Sequence, residues 1–308
     1  MLDHELREQG PPEEFDNTIL SNYCECPRQL YWFLRGIDYV NTPPYFITGR
    51  ALGAGLNAFY ETEGPLQLRT IKMIQAAEEL WNEESPEPGQ NDNIDNLRRM
   101  LKDYANAYPR ENWTQESGHG ELGFAFPIAG TEIYYAGSVD AYIKWPGYGV
   151  LIREDKSTGG YLGINYQSHW GRASQVTGYL WAIGQMIGEA PFGALINMLS
   201  KRKSKNPEDQ FARNIITKSD WQLAEFMAQT VRIADRIRSE WDNWTWNKEG
   251  ERVYIKCVGG AGRSPCLYNS PCLQEQDPWE LDDAGYDYTE EYALREGKWA
   301  PWERQGDT

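Results

Sequence analysis

Three ionisable residues stand where a purely structural strand would not put them: Asp140, closing Gly137-Ser138-Val139-Asp140, and Glu154 and Lys156 of Glu154-Asp155-Lys156. The segment 131–156 is expected to form a β-hairpin. One run, Ile133 to Trp145, is rich in Tyr, Val and Ile, Pro146-Gly147 supplies a turn, and the second run is Tyr148 to Lys156. Side chains alternate faces along a strand, so Val150, Ile152, Glu154 and Lys156 share one face and Leu151, Arg153 and Asp155 the other. Asp140, on the face of Tyr134, Ser138 and Tyr142, is then brought beside Glu154. Two adjacent carboxylates repel and raise each other's pKa unless a divalent cation lies between them, and a hard, oxygen-ligated ion such as Mg2+ suits such a pair. With Lys156 adjacent, the chemistry suggested is cation-assisted attack of water on a phosphodiester, the ammonium steadying the charge that develops on phosphorus oxygens. A solvated hairpin with a surface Asp and an ordinary Glu/Lys pair accounts for the same spacing.

Those residues need elements to position them. The segment from Tyr166 to Ile187 carries Trp170, Ala173, Leu180, Trp181 and Ile187 at helical spacing, with Ser168, Arg172, Gln175 and Tyr179 on another face. Gln175 and Tyr179, one turn apart, are placed to reach the carboxylate site and a phosphate. A plain polar helix face is the other reading.

Gly-Ser-Val-Asp, Glu-Asp-Lys-Ser-Thr and Gln-Val-Thr-Gly-Tyr, in this order and spacing, resemble the PD-(D/E)XK nuclease superfamily, in its RecB-like exonuclease branch with a QxxxY motif. The resemblance implies an α/β fold, a restriction-endonuclease-like central mixed sheet flanked by helices, with a helical cap. It implies Asp140 and Glu154 as ligands of Mg2+ or Mn2+, with the backbone carbonyl of Asp155 beside them, Lys156 as a catalytic residue, and Gln175 and Tyr179 in support of substrate and site. Relatives often carry a Gly-x-x-x-His on the first core helix, expected here at 48–60; Asn57 stands at that position and is a candidate neutral metal ligand, with helix packing as the alternative.

The cysteines form a second constellation. Cys26-Pro27-Arg28 opens an aromatic run in which proline suits the first turn of a helix, and Cys257-x8-Cys266-x5-Cys272 lies far downstream in a glycine-rich segment. Four thiolates suit a 4Fe-4S cluster or a structural Zn2+ equally well on ligand count. The family resemblance favours iron–sulfur, held by Cys26, Cys257, Cys266 and Cys272 as a clamp between the two ends of the chain, similar to that of CRISPR-associated, AddB-type and phage nucleases. The commoner spacing of the last three is Cys-x2-Cys-x5-Cys, and the longer first gap fits phage-type relatives better. The fifth cysteine, Cys24, is the expected spare, on the strength of the Cys-Pro-Arg match alone.

Helical stretches near Gln67–Glu83 and Asn93–Tyr108 are expected to make the cap, Leu122–Ile128 and Phe192–Leu199 to be strands, and Ser219-Asp220-Trp221-Gln222 to cap a helix reaching Trp241. Trp241, Trp244 and Trp246 either cover the cluster or stack on unpaired bases. The chain has 46 acidic and 30 basic residues, net −16, which opposes broad non-specific binding of nucleic acid, so phosphate contacts must be local. The densest basic run, Lys201, Arg202, Lys203 and Lys205, together with Arg172, is the candidate contact. Expected boundaries are 1–50 for the N-terminal segment with the first cluster cysteine, 51–118 for the cap, 119–250 for the nuclease core, 251–275 for the cluster segment and 276–308 for an acidic tail. That tail is expected to bind a partner, mimic DNA or be loose.

With 40% hydrophobic residues, no run of 18 apolar ones and a polar N-terminus, a soluble protein of the cytoplasm is expected, the host bacterium's if phage-encoded. The resemblance implies a metal-dependent DNA exonuclease acting on single strands or free ends in recombination, repair or phage DNA processing, with a recombination partner protein and a homo-oligomer as open possibilities. The alternative is a non-catalytic DNA- or protein-binding module that keeps the nuclease fold.

Overall fold

The computed structural model describes residues 3–84, 86–116, 121–246, 257, 265–269, 272, 292–295 and 298–303. In chain order these form α1 (Asp3–Gln9), β1 (Glu14–Phe15), α2 (Asn17–Glu25), α3 (Pro27–Leu34), β2 (Ile37–Tyr39), α4 (Pro44–Glu61), α5 (Leu66–Glu84), α6 (Ile94–Ala107), β3 (Thr114–Gln115), β4 (Leu122–Pro127) and β5 (Tyr134–Val139). Then come β6 (Ala141–Trp145), β7 (Gly149–Thr158), α7 (Ile164–Trp170), α8 (Ser174–Ile187), β8 (Gly193–Ser200), β9 (Phe211–Ile216), α9 (Asp220–Asn243) and β10 (Tyr292–Leu294). The class is α/β, with a mixed sheet and flanking helices. Among the described residues no helix is long and apolar enough to cross a membrane.

The chain divides into two units: Met1–Asn41 with Pro127–Tyr135 and Met227–Ala300, and Thr42–Phe126 with Ala136–Phe226 and Pro301–Thr308. The second unit holds a five-stranded sheet in the order β3-β6-β7-β8-β9. β6 and β7 are antiparallel, β7 and β8 parallel, and β8 and β9 antiparallel. A right-handed crossover is the rule for a parallel pair, and the β7 to β8 connection carries α7 and α8 as that rule requires of its length. All eight residues of β8 are buried, as its Gly-Ala-Leu-Ile-Asn-Met-Leu-Ser sequence leads one to expect of a central strand. One core joins α4, α5 and α6 to the sheet through Leu56, Phe59, Met73, Met100, Tyr104, Leu199 and Phe211.

In the first unit Cys26 precedes α3 with Pro27 as its first helical residue, where the missing N–H costs nothing. Trp241, Trp244, Trp246 and Tyr31 pack edge-on or tilted at centroid distances of 5.5–6.2 Å, and Trp246 is buried. The described part of the acidic tail is folded in: β10 pairs antiparallel with β2, Trp299 Nε1 donates to Asp16 Oδ2 at 2.8 Å, and Lys298 meets Glu14 at 3.2 Å. Residues 276–291, on which the expected partner-binding or loose tail falls, lie outside the described residues, as do the glycines 259, 260 and 262 of the cysteine segment.

Two sequence expectations need correction. The first hairpin run is two strands, β5 and β6, broken at a bend at Asp140 and belonging to different sheets: β5 lies between β1 and β4, and β6 between β3 and β7. The expected helix over Tyr166–Ile187 is also two, α7 and α8, interrupted at Gly171-Arg172-Ala173, where glycine weakens helix continuation. The Ser219 cap forms as expected: Gln222 N–H donates to Ser219 Oγ at 3.3 Å, and Ser219 N–H returns to Gln222 Oε1 at 3.0 Å.

Candidate active site

The site lies within the second unit, where β6 stops and β7 continues. The antiparallel register ends at Ala141 opposite Arg153, so Asp140 leaves the ladder one residue before Glu154 would meet it. The N–H of Asp155 therefore bonds a side chain in place of a strand: Asp140 Oδ2 accepts it at 2.7 Å. Lys156 Nζ donates to Glu154 Oε1 at 2.5 Å, with the ammonium 5.3 Å from the centre of the Trp170 ring. Asp140, Glu154 and Lys156 are thus brought together, as their spacing suggested.

Glu154 is 4% exposed, and its Oε2 is buried with no hydrogen-bond partner. An ionised, unsatisfied carboxylate oxygen inside a protein is costly. Burial, then the charges of Glu154 and Asp155, push the Asp140 carboxyl well above its ordinary value, against the opposing pull of Lys156. Burial likewise raises Glu154, with Lys156 opposing it. Burial works against the Lys156 ammonium, but Glu154 and Asp140 outweigh it and hold the amine charged. A third carboxylate, Glu121, is close enough to add to the repulsion on Glu154 and accepts a hydrogen bond from Ser138 Oγ at 3.0 Å. Among the described residues no group of three or more His, Cys, Asp and Glu side chains is already closed around a point that a metal ion would occupy. The orphaned Oε2 of Glu154, with the partly buried Asp140 carboxylate in electrostatic reach, is nonetheless the donor chemistry of a divalent-cation site, and the residues fit one.

Gln175 Nε2 donates to the Tyr179 hydroxyl at 2.8 Å, so the pair on α8 acts as one unit. Tyr179 is buried, its ring edge-on to Phe124 with centroids 5.9 Å apart. These rings explain Gly137: a Cβ there would stand 3.0 Å from Phe124 Cζ and 3.4 Å from Tyr179 Cε1. A cavity of about 650 Å³ bounded by Tyr45, Phe46, Ser157, Thr158 and Lys201 adjoins the end of β7 and includes Lys156 in its wall.

Other expected site residues are placed differently. Asn57 is buried and its Oδ1 accepts from Arg153 Nη2 at 2.5 Å. In the basic run Lys201 is buried, with Nζ 2.6 Å from Asp92 Oδ1, whereas Arg202, Lys203 and Lys205 are exposed and Arg202 lies over the Tyr161 ring at 4.2 Å. Arg172 is exposed in the α7–α8 break. Sequence reading missed the polar groups behind β7: Arg153, the Asp155 side chain, Asn197 and Arg213. The available signal was a charged or amide residue inside otherwise apolar strands.

The cysteines lie in the first unit. Cys266 N–H donates to the Cys257 carbonyl at 3.1 Å, Trp32 Nε1 points at Cys272 Sγ at 3.1 Å, and Cys266 Sγ is 3.7 Å from Gln29 Oε1. Burial pushes the Cys266 thiol up to about 11, and the charges of Cys272, Cys257 and Cys26 add to this. Cys26, Cys257 and Cys272 are therefore each in electrostatic reach of Cys266, while Cys24 is exposed. Cys266 Sγ and Cys272 Sγ are engaged by Gln29 and Trp32, and among the described residues the cysteines do not close around a point that a metal ion would occupy.

No protein-family model matches the chain, and no curated protein matches it. Among solved structures, a Eubacterium rectale protein named "Putative exonuclease" superposes with a TM-score of 0.47 at 14% identity, over 86% of this chain and 96% of that one. The protein SSO0001 does so with a TM-score of 0.37 at 12% identity, over 89% of this chain and 95% of that one.

Proposed function

We propose that this chain is a divalent-cation-dependent nuclease of the PD-(D/E)XK type, in the RecB-like branch, hydrolysing phosphodiester bonds at DNA ends. The observation that carries the reading is the Asp140–Glu154 pair, with the buried Oε2 of Glu154 left without a partner and Lys156 at 2.5 Å from Oε1. Asp140 and Glu154 would hold Mg2+ or Mn2+, which supplies an acidified water and neutralises charge developing at phosphorus. The Asp155 carbonyl is the third ligand in this reading.

The chain's own groups do the rest. Lys156, kept charged by its two carboxylates, donates to a phosphoryl oxygen as negative charge builds there. Gln175 holds the Tyr179 hydroxyl through its amide, and in this reading the pair supports the substrate. Exposed Arg172, Arg202, Lys203 and Lys205 provide local cations along which a phosphate backbone can lie despite the net charge of −16. Asn57, already bonded to Arg153, supports the sheet beneath the site in this reading and stands apart from the cation. In the first unit Cys26, Cys257, Cys266 and Cys272 hold a 4Fe-4S cluster, with Zn2+ as the alternative, and its role is to fasten distant parts of the chain.

The test is cleavage of end-labelled single- and double-stranded DNA with Mg2+ or Mn2+, comparing wild type with Asp140→Asn, Glu154→Gln and Lys156→Ala. Activity in the wild type that all three lose supports the reading. Equal inertness of all four, with DNA or protein binding retained, replaces it with a non-catalytic module.

A further inference from the structure

The polar groups behind β7 form a ladder that runs straight across the sheet. Asp155 on β7 is in register with Asn197 on β8, and Asn197 with Arg213 on β9. Asn197 Nδ2 donates to Asp155 Oδ1 at 2.7 Å, and Arg213 Nε donates to Asn197 Oδ1 at 3.2 Å. Arg213 is anchored in turn by Glu111 at 2.7 and 3.0 Å and by the hydroxyls of Tyr60 and Tyr104 at 2.9 and 2.8 Å. A second arm reaches the other oxygen of Asp155: Arg153 bonds Oδ2 at 3.1 and 3.2 Å and is itself held by Asn57 and Gln115, each at 2.5 Å. The Asp155 side chain is 5% exposed and Arg153 1%.

A buried charged network is seldom the most stable filling for a sheet face; apolar side chains of similar volume do as well or better. Both arms end on one residue, and the backbone N–H of that residue is the hydrogen bond that fixes Asp140 at 2.7 Å. Asp140 sits at the bend between two sheets, where no ladder holds it. Its orientation therefore depends on the peptide of residue 155, whose side chain is clamped from behind on both oxygens.

We propose that Asp155, clamped by Arg153 and by the Asn197–Arg213 ladder, is the positioning residue that aims the Asp140 carboxylate at the cation site. The inference rests on the nuclease reading of that site. Asp155→Asn keeps the shape but retains only one acceptor oxygen, so its amide NH2 must face Asn197 or Arg153, both donors. Asn197→Leu keeps the branched outline of the side chain and removes the ladder's central rung.

The test is Mn2+ binding by titration of the free-ion paramagnetic signal, with DNA hydrolysis and thermal melting read alongside. Both variants are expected to raise the Mn2+ Kd about tenfold or more and lower kcat with KM for DNA unchanged. In an Asp140→Ala background Asn197→Leu is expected to change the Mn2+ Kd no further, because the group it positions is gone. Wild-type Mn2+ affinity and kcat in the variants, or a full additive loss in the Asp140→Ala background, overturns the proposal and leaves the nuclease reading standing. Should Asn197→Leu fail to fold, Asp155→Asn and its own pairing with Asp140→Ala decide. A wild type that neither binds Mn2+ nor cleaves DNA overturns both.

Discussion

The two ionisable clusters of this protein are built on opposite plans. In the second unit the carboxylates are fixed before any ligand arrives: Asp140 is tied to the Asp155 N–H, and Glu154, in register with Ile196 on β8, to Lys156. In the first unit the thiols come from residues 26 to 272, one donates to Gln29, another accepts from Trp32, and burial, reinforced by the neighbouring cysteines, raises the Cys266 thiol above its ordinary value. A sheet can hold like charges together against repulsion because neighbouring strands share many hydrogen bonds. Short helical pieces from distant parts of the chain have fewer such ties, so there the ligand must supply the closing energy. On the proposed reading the carboxylate site is arranged before it binds a cation, whereas the thiols would be arranged by the metal they bind.

The sharpest way to break this contrast is at Glu154. Glu154→Gln is expected to lower DNA cleavage by about 10³-fold while leaving melting unchanged or higher, since it removes a buried charge with no partner on Oε2. Unchanged cleavage, measured under single-turnover conditions, would falsify the role given to that carboxylate. Cys266→Ser should behave in the opposite sense: bound iron and acid-labile sulfide disappear, melting falls, and the chemical step at saturating Mg2+ in whatever folded protein remains stays near wild type. Full iron content in that variant, or zinc in place of iron in the wild type, would remove the cluster from the account.

A smaller effect separates Lys201 from its neighbours. Lys201→Ala strands Asp92 in a largely buried setting and is expected to cost about 3 kcal/mol of stability by denaturant titration. Arg202→Ala should leave stability unchanged and weaken DNA binding by a few-fold, with a shallower salt dependence. The reverse pattern would make Lys201 the phosphate contact.

The smallest effect follows from the carboxyls of the candidate active site. Asp140 and Glu154 are pushed up by folding, so the stability they contribute is fully present below their unfolded-chain values and is lost as pH rises through the raised folded ones. Without metal, wild-type melting should therefore fall relative to Asp140→Asn as pH goes from the ordinary carboxylate range toward neutral. Mg2+ should restore it, and restore more at neutral than at acid pH. Parallel melting curves for the two proteins at every pH would contradict this.

Much of this was legible in the chain. Period-two patterning placed Glu154 and Lys156 on one face, the proline after Cys26 opened a helix, and Ser219 with Gln222 wrote a cap, because each of these depends on neighbours within four residues. The break at Asp140 was not legible: Val139 and Ala141 are equally suited to a continuous strand, and only the presence of two different sheets divides them. Gly171 did carry a local signal for the α7–α8 break, outweighed in the pattern by apolar spacing on both sides.

The sequence by itself determined the chemistry available, two carboxylates and an amine at the end of a β-rich stretch and four thiols far apart, since side-chain type and strand period are local properties. Only the tertiary structure decided which groups are desolvated, which Oε is left without a partner, and that Asp155, Asn197 and Arg213 stand in one line. Register between strands forty residues apart is set by the packing of the whole sheet, and no local pattern encodes it.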